Sequence, residues 1–493
     1  MGAAHVVIFP LPIQGPVNCM LKLSQLILSK SEAAISITFL TTDFIHGRLS
    51  NHSKAVPHFA EMEPNNFRFE TVSDGLGPDD NPRGAYQLAD MTCFLEDQAQ
   101  TQGSKLRQVL CYGSSEFEFK KRVSCIIADG FFGFMVDVAK DLTIPVVYFE
   151  TISPSGLWTY LCVPNMIAAA DLPFQGNNLD ATVTSVPGME AYLRRRDLPS
   201  FCRTYNPKTA IIQLVLKQAL NFPRAQGHIL NTFDELEGDY FPHLRHLCPN
   251  LYNIGPLHLH LKCRMKHKMT NNLFSSSLWE EDRMCLNWLD EQPQNSVIFV
   301  SIGSLAVITR EQLMEIWFGL VNSKVRFLWV QRPNSIMNDS NGVTEGQDLV
   351  VPNEVIEGTK ERGCIVSWAP QEEVLSHKAI GGFLTHSGWN STLESIVEGV
   401  PMICWPFFVD QQVNSRLVNE VWKIGLDMKD KCDRVVIEKM IKELMENQRD
   451  MFLLKANEWA ELATKAVSED GSSYNSLNRL IEDIRFIRFS IPL

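Results

Sequence analysis

The amino-acid sequence predicts an α/β protein with two Rossmann-like halves, each a parallel sheet flanked by helices. Apolar runs of strand length alternate with segments of helical period along most of the chain, which is typical of parallel sheet. The alternation stops over a polar stretch and then restarts. The chain has 493 residues, well above the roughly 100–200 that one domain usually holds. We therefore expect domains at 1–256 and 283–470, a linker or surface loop at 257–282, and a helix within 471–493 that packs back on the first domain.

The first half begins with a strand, a loop and a helix. His5–Phe9 is apolar and of strand length, Pro12–Gly15 carries turn residues, and Val17–Ser29 has helical period. Short apolar runs predict the further strands of this half, which are Ile35–Leu40, Cys125–Ala128, Pro145–Phe149 and Leu251–Ile254.

A polar stretch from Leu257 to Asp282 separates the halves. Its cluster of basic residues has no interleaved aromatic residues, which favours a loop over a nucleic-acid patch. Strand–helix alternation then restarts, and Thr309 with Gln312 forms the capping box of a helix. The strands predicted here are Val297–Ile302, Arg326–Val330, Ile365–Ser367, Gly382–Thr385 and Met402–Trp405, and the last helix is Tyr474–Phe486.

The composition argues against several classes of protein. Lys and Arg total 45 against 57 Asp and Glu, and this net charge of −12 disfavours binding to nucleic acid. The 12 cysteines form no Cys-x-x-Cys pair, so we expect no metal site, no disulfide framework and a reducing compartment. We find no export signal and no apolar run long enough to span a membrane. We expect a cytoplasmic, monomeric enzyme that acts on small molecules.

The most informative feature is a turn between a predicted strand and a predicted helix. A His-Ser-Gly turn begins at His386, directly after the strand Gly382–Thr385. Such a turn presents backbone N–H groups and the positive end of a helix dipole, which suits a phosphate group. The pattern is also that of an ordinary capped helix, because Ser391 and Glu394 have capping-box spacing.

Residues around this turn offer partners for the rest of a nucleotide sugar. Trp368, in a loop after a strand, could stack on a planar base. Glu394 could accept hydrogen bonds from both hydroxyls of a ribose, as acidic residues do in dinucleotide-binding folds. Asp410 and Gln411 follow another strand and offer polar groups to a sugar. The combination indicates a nucleoside diphosphate sugar.

The segment from Trp368 to Gln411 resembles the donor-binding box of plant family 1 UDP-glycosyltransferases, and reads WAPQEEVLSHKAIGGFLTHSGWNSTLESIVEGVPMICWPFFVDQ without a gap. The resemblance extends along the chain through PLPIQG, CIIADGF, VPGM, RRRDLPSF, NTFDELE, NIGPL and VSIGS, and is greatest for the branch that glucosylates iridoid and related terpenoid acceptors. It implies a GT-B fold, with two Rossmann-like domains facing across a cleft. It also implies an inverting UDP-glucose-dependent glucosyltransferase for a hydroxyl or carboxyl of a small lipophilic plant metabolite (terpenoid, iridoid or phenolic), without cofactor or metal.

The resemblance assigns roles to the donor-site residues. The uracil and ribose would be bound by Trp368, Ala369, Gln371 and Glu394. The diphosphate would be bound by Ser304, His386, Asn390 and Ser391. The sugar would be read by Trp389, Asp410 and Gln411, and a glutamine at the last of these positions is similar to enzymes that use glucose. The first half would contribute Gly15 and, at the sugar 6-hydroxyl, Thr151.

One position departs from the family pattern. Family members usually carry Gln-Gly-His after the first strand, and an aspartate in the CIIADGF segment orients that histidine, the general base. Here the chain has Gln14-Gly15-Pro16, although Asp129 is present. Ionising an alcohol at pH 7 costs roughly 12 kcal/mol, a phenol about 4 kcal/mol and a carboxylic acid nothing, whereas a positioned base contributes about 3–5 kcal/mol. The sequence therefore predicts acceptors that are already acidic.

Three replacements for the missing base stay open. Asp129 could take the proton directly or through a water, His46 after the second strand could reach the acceptor, or the acceptor could ionise unaided. The acceptor pocket is expected to be lined by aromatic residues, each of which could equally lie in the core, namely Phe131, Phe132, Phe134 and Trp158.

Other readings of the sequence also remain. The run Arg194-Arg195-Arg196 could hold an acceptor carboxylate or form a solvated face. A non-catalytic UDP-sugar-binding protein is the alternative function, because Pro16 replaces the base. A Rossmann dehydrogenase is disfavoured, since no G-x-G-x-x-G motif follows a predicted strand.

Overall fold

The chain divides into two compact units. The computed structural model describes residues 4–30, 35–53, 55–77, 87–114, 116, 122–265, 276–332, 335–336 and 351–489. The first unit comprises Met1–Glu280 and Leu462–Leu493, and the second comprises Glu281–Glu461. Within the described ranges, no helix is long and apolar enough to cross a membrane.

The first unit is built on a seven-stranded parallel sheet with the order β3-β2-β1-β4-β5-β6-β7. Its strands are β1 Ala4–Phe9, β2 Ile35–Thr42, β3 Phe67–Val72, β4 Cys125–Asp129, β5 Val146–Glu150, β6 Gly227–Leu230 and β7 Leu251–Asn253. Residues of β1 alternate between two cores, with Val6 and Ile8 in one and Val7 and Phe9 in the other. Both faces of this sheet are therefore covered, as expected for parallel strands joined by helices.

The helices of the first unit follow its strands along the chain. They are α1 Gln14–Lys30, α2 Asp43–His52, α3 Ala55–Met62, α4 Leu88–Gln100, α5 Lys105–Tyr112, α6 Met135–Leu142, α7 Pro154–Leu161, α8 Val163–Ala168, α9 Ser200–Arg203, α10 Ala210–Asn221, α11 Asp234–Glu237, α12 Phe241–Leu247 and α13 Leu257–Met265. Hydroxyl groups cap several of them, since Thr42, Ser104 and Ser153 accept hydrogen bonds from N–H groups in the first turns of α2, α5 and α7.

The second unit repeats the design with a six-stranded parallel sheet of order β10-β9-β8-β11-β12-β13. Its strands are β8 Val297–Ser301, β9 Arg326–Val330, β10 Gly363–Val366, β11 Ile380–Thr385, β12 Met402–Cys404 and β13 Gly425–Asp427. Its helices are α14 Met284–Asp290, α15 Arg310–Ser323, α16 Asn353–Arg362, α17 Gln371–Leu375, α18 Trp389–Val397, α19 Gln411–Arg416, α20 Arg434–Lys442 and α21 Arg449–Val467, whose last residues belong to the first unit. The predicted capping box of Thr309 and Gln312 is confirmed at the start of α15.

The last helix, α22 Ser472–Phe486, belongs to the first unit. Its Leu477 and Leu480 are buried in the core that also contains Val6 and Ile8. Tyr252 on β7 donates a hydrogen bond from its hydroxyl to Asp483 Oδ2 at 2.9 Å. The far end of the chain thus completes the outer part of the first sheet.

The sequence located most strands and missed three, namely β3, β6 and β13. β6 and β13 are only four and three residues long, which leaves little pattern to detect. The linker prediction is wrong for its first residues, because Leu257–Met265 forms α13, which packs against α1, and Leu257 and Leu261 lie in the core. Residues 266–275 of the predicted linker lie outside the described residues.

Candidate functional site

Each sheet contains a pair of neighbouring strands from which the chain continues towards opposite edges of the sheet, and the position between these two strands is the switch point. In the second unit this switch point lies between β8 and β11, which pair in parallel up to Ser301 and Thr385. Ligands of open α/β sheets bind outside the carboxyl ends of the strands at such points. The loops that follow β8 and β11 carry Ser304 and His386, so two of the four predicted phosphate-binding residues lie at the switch point.

Two glycines hold the ring of His386 in the turn after β11. A Cβ atom on Gly303 would lie 2.5 Å from His386 Nε2, and a Cβ atom on Gly388 would collide with the same nitrogen. Ser387, between them in the turn, has a left-handed φ of 61°. Asn414 fixes this conformation by donating from Nδ2 to the Ser387 carbonyl oxygen at 3.0 Å. Any larger residue at either glycine would displace the imidazole.

His386 is neutral at physiological pH. Burial and, second, the positive charge of Arg332 lower the pKa of His386 to about 4. Its Nδ1 atom is buried and has no hydrogen-bond partner within the described part of the chain. A buried ring nitrogen without a partner is costly, which is the condition expected of a group that awaits a ligand.

The beginning of α18 joins three of the predicted donor-site residues. Gln371 donates from Nε2 to Ser391 Oγ at 2.8 Å and to Glu394 Oε2 at 2.6 Å. These contacts connect the start of α17 to the first turns of α18 and orient the Glu394 carboxylate. Trp368, half-buried, lies just before α17 and accepts a backbone hydrogen bond from Asp282 at 2.9 Å, while Ala369 is buried.

The predicted sugar-reading residues are more buried than their proposed role required. Gln411 Oε1 accepts from the N–H groups of Phe407 and Phe408 at 2.8 and 3.1 Å, so it shapes the loop after β12. Asp410 accepts from Asn414 Nδ2 at 2.9 Å. The indole of Trp389 packs inside the unit, 6.3 Å from that of Trp422, and a ligand contact of Trp389 would therefore use its backbone. Asn390 is half-buried in the first turn of α18.

In the first unit, the switch point lies between β1 and β4, and Asp129 is its central polar residue. Asp129 ends β4 and is fully buried. Its Oδ1 accepts from the Phe131 N–H at 2.9 Å, and its Oδ2 accepts from the Leu11 N–H at 3.4 Å and the Thr151 hydroxyl at 3.1 Å. Thr151, directly after β5, is half-buried, so it lies between Asp129 and the surface of this unit.

The electrostatic setting of Asp129 suits a proton acceptor. Burial raises the pKa of Asp129 to about 7, and the nearby Glu150 carboxylate adds to the effect, although the N–H groups of Phe131 and Leu11 and the Thr151 hydroxyl stabilise the ionised form. A base with a pKa near the working pH combines availability with proton affinity.

The structure places the vacant base position in an ordinary helical turn. Pro16 is the third residue of α1, follows the half-buried Gly15, and is itself buried. The first turn of a helix has no intrahelical acceptors for its N–H groups, so proline is accepted there. His46 lies away from this switch point, because it is on α2 and its ring packs on Phe69 of β3 at 5.5 Å. Strands β2 and β1 lie between β3 and β4.

Two of the aromatic residues predicted for the acceptor pocket belong to the core. Phe132 and Phe134 are buried, and Phe132 packs 4.6 Å from the ring of Phe9. The pocket prediction is therefore wrong for both, since their rings fill the space between sheet and helices. Phe131 is half-buried at 6.5 Å from Tyr160, and Trp158 donates from Nε1 to the Pro187 carbonyl oxygen at 2.9 Å.

The arginine run is occupied by internal partners. Arg194 Nε lies 2.8 Å from Asp197 Oδ2, and Arg196 Nε lies 2.7 Å from Asp180 Oδ1. Arg195 donates to the Gln175 carbonyl oxygen at 2.8 Å. The run therefore forms an internal network of ion pairs and hydrogen bonds, which was neither of the two readings, the acceptor-carboxylate site and the solvated face. Among the described residues there is also no group of three His, Cys, Asp or Glu side chains that could hold a metal ion.

Comparison with known proteins decides the family. Residues 53–451 match the family described as UDP-glucoronosyl and UDP-glucosyl transferase. The chain belongs to this family. It is a UDP-glycosyltransferase. The strand, turn and helix around His386, at the second switch point, lie within the matched residues.

Curated relatives of this UDP-glycosyltransferase match over nearly the whole chain. The 7-deoxyloganetic acid glucosyltransferase of Catharanthus roseus is 50% identical over 488 residues, covering 98% of this chain and 98% of that protein. The 7-deoxyloganetin glucosyltransferase of the same plant is 38% identical over 491 residues, covering 98% of this chain and 96% of that protein. Both are named as glucosyltransferases.

A solved structure confirms the fold class of the UDP-glycosyltransferase. Medicago truncatula UGT71G1, complexed with UDP-glucose, aligns with a TM-score of 0.76 at 27% identity, covering 98% of each chain. The prediction of a GT-B fold with two Rossmann-like domains is therefore confirmed.

Sequence reasoning overlooked one polar residue of this UDP-glycosyltransferase, Arg332. It lies two residues after β9, at the carboxyl edge of the second sheet, and only 5% of it is exposed. Its Nε donates to the Gly303 carbonyl oxygen at 2.9 Å, and its Nη2 donates to that of Ala306. Its position two residues after a strand was the available signal, because Asp410 and Gln411 were singled out for following a strand at the same edge.

Proposed function

We propose that this UDP-glycosyltransferase transfers glucose from UDP-glucose, with inversion, to an acidic oxygen of a small lipophilic plant metabolite of the iridoid or terpenoid class. We propose an acidic acceptor because Pro16 occupies the position where family members have the base histidine. The relatives support the acceptor class, since the one named for an acid is 50% identical and the one named for 7-deoxyloganetin is 38% identical.

For donor binding, we assign the roles implied by the family to the residues of the second switch point. Trp368 stacks on uracil, and Glu394, oriented by Gln371, accepts from the ribose hydroxyls. The α18 N-terminus, with Ser304 and His386, binds the diphosphate, which matches the preference of helix N-termini for anions. Asn390 and Ser391 add side-chain donors in the first turn of α18.

The proposed reaction is a single displacement. The acceptor oxygen forms a bond to C1 of glucose while the bond between C1 and the UDP oxygen breaks, and its electron pair leaves with UDP. A carboxylate acceptor has already lost its proton to the solvent. For a phenolic or hemiacetal hydroxyl, Asp129 takes the proton. The half-buried Thr151, directly after β5, has its hydroxyl 3.1 Å from Asp129 Oδ2 and connects the carboxylate to the surface of the unit.

An acceptor panel tests the proposed function. UDP release from UDP-glucose is measured with no acceptor and with a matched carboxylic acid, phenol and alcohol. We expect release above background with the acid and the phenol, and little with the alcohol. Binding of UDP-glucose without acceptor-dependent release would instead identify a non-catalytic UDP-sugar-binding protein.

We also propose glucose as the preferred sugar. Gln411 Oε1 accepts hydrogen bonds from the backbone of Phe407 and Phe408, which leaves the Nε2 amino group as the part of this side chain that can distinguish donors. Gln411→Glu keeps an acceptor oxygen for the loop and removes the amide donor, so it should narrow the preference for UDP-glucose over UDP-galactose. Competition between the two donors measures this, and preference for galactose in the unchanged enzyme would contradict the assignment.

The remaining proposals concern the cellular compartment, the oligomeric state, cofactors and the domain limits. We propose a cytoplasmic monomer, with all 12 cysteines as free thiols suited to a reducing compartment. We propose that no metal or cofactor takes part. For the domains, the compact units support limits near Glu280 and Leu462 in place of 256 and 470.

A further inference from the structure

Arg332 is a buried cation at the carboxyl edge of the second sheet. Its guanidinium group donates to two carbonyl oxygens, those of Gly303 and Ala306, which lie three residues apart on the loop after β8. Ser304 lies between these two anchor points. A planar guanidinium with several donors in fixed directions can hold both ends of such a loop, whereas an ammonium group cannot do so with the same geometry.

The same loop also positions His386. Gly303 is in the left-handed region, with φ of 76°, and has no room for a Cβ atom because the imidazole of His386 lies against it. A shift of the loop would therefore move both Ser304 and Gly303, which lies against the His386 ring. Arg332 acts on both residues because it anchors Gly303, which precedes Ser304 in the chain and lies against the ring of His386.

The charge of Arg332 matters as well as its hydrogen bonds. Burial lowers the pKa of Arg332 to about 10, so the group remains a cation at neutral pH. It is close enough to His386 to oppose protonation of the imidazole. A positive charge in a poorly solvated setting acts more strongly on nearby charges than one in water. The diphosphate is the anionic part of UDP-glucose, and uridine lacks it.

We propose that Arg332 is a positioning residue of the diphosphate site, which fixes the Gly303–Ala306 loop and supplies positive potential to the diphosphate. This inference rests on the proposed roles of Ser304 and His386 in donor binding. It predicts a defect confined to the phosphate-bearing ligand, because nothing in the Trp368–Gln371 segment depends on the contacts of Arg332 described above.

The experiment compares UDP with uridine in the full-length enzyme. Affinity is measured by calorimetry for UDP and by ligand-observed NMR for uridine, in wild type, Arg332→Met and Arg332→Lys. We expect Arg332→Met to weaken UDP binding roughly 10- to 100-fold, as for loss of charge-assisted contacts, with uridine binding unchanged. The salt dependence of UDP binding should also become shallower. Arg332→Lys keeps the charge without the two-point hold, and should weaken UDP binding less.

Controls separate this inference from the proposed function. Trp368→Ala and Glu394→Ala should each weaken uridine and UDP alike, and if neither variant weakens either ligand, the donor-site assignment itself fails. Equal losses for uridine and UDP in the Arg332 variants would mean a general structural role and would overturn the inference, as would UDP affinity equal to wild type in both. If Arg332→Met does not fold, Arg332→Lys decides: a several-fold loss for UDP alone supports the inference, and its absence overturns it.

Discussion

The two switch points of the molecule differ in how they are made. Between β8 and β11, glycines at 303 and 388 and the start of α18 create a site from backbone geometry, and His386 is fitted into it. Between β1 and β4, the site depends on side chains, with Asp129 buried and Pro16 in the first turn of α1. A site made by the backbone tolerates little change, whereas one made by side chains can accept a residue such as Pro16 without disturbing the fold.

This difference separates donor binding from acceptor chemistry. At the second switch point, Gln371, Glu394 and the turn at His386 offer groups that suit a nucleotide, and the backbone around His386 holds the turn in place. At the first switch point, we propose that either Asp129 or the acidity of the acceptor compensates for the imidazole that family members carry at the position of Pro16. A variant at one switch point can therefore be controlled by a measurement that depends on the other.

The largest effect is expected from Asp129→Asn at the first switch point. With a phenolic acceptor, turnover should fall roughly 10²- to 10⁴-fold, because the amide cannot take the proton. With a matched carboxylic acid, turnover should change little, because that acceptor is already ionised. Steady-state rates with both acceptors measure the contrast.

Affinity of the Asp129→Asn variant for UDP should stay near wild type, which checks that the variant is folded. Equal losses on both acceptors would show that Asp129 has a structural role only.

Changes at the second switch point should affect the donor alone. Trp368→Ala should weaken UDP binding roughly 10- to 100-fold through the lost stacking surface. Glu394→Ala should have a comparable effect, and Glu394→Gln a smaller one, because the amide keeps an oxygen for Gln371 and the ribose. Calorimetric titration provides the measurement. Unchanged affinity in both alanine variants would rule out this site for the nucleotide.

The pH dependence of turnover should follow Asp129. Its raised pKa, about 7, means that the base is protonated and inactive below neutral pH. With a phenolic acceptor, the rate should therefore fall about tenfold per pH unit on the acid side of pH 7. A carboxylic acid acceptor should not show this dependence between pH 6 and 8. The profile is measured under saturating UDP-glucose, and Asp129→Asn should lack the acid limb if the assignment is right.

The smallest effect is expected from His46→Ala. The ring of His46 packs on Phe69 at the β3 side of the first sheet, so its removal should leave turnover within about twofold of wild type with either acceptor. Steady-state rates under the conditions used for Asp129→Asn test this. A loss confined to the phenol would identify His46 as the base and refute the role given to Asp129.

The arrangement of the candidate donor site was largely predictable from sequence because its parts are contiguous. The turn at His386 and the helix after it lie in one segment, and the pairs that contact each other, such as Gln371 and Glu394, lie 23 residues apart. Strand, turn and helix each leave a local pattern there. The only distant part of the phosphate region that sequence reasoning found, Ser304, came from the family resemblance.

What could not be predicted depends on distant packing. Arg332 meets the Gly303 loop because β8 and β9 are neighbours, which the sequence alone does not reveal. Phe132 follows Asp129 closely, yet its ring turns into the core, and a run of aromatic residues does not show which side each takes. Leu257–Met265 looked like a polar linker because only some of its residues face the core.

The position of α22 has a consequence for how the protein is made. The first unit needs Leu477, Leu480 and Asp483, which follow the whole of the second unit in the chain. Domains generally fold as the ribosome releases them, from the N-terminus onward. Here the residues of the second unit emerge completely before the first unit receives its last helix. The first unit is thus completed only after the second unit has been synthesised, and the part of its core that α22 covers lacks that helix until then.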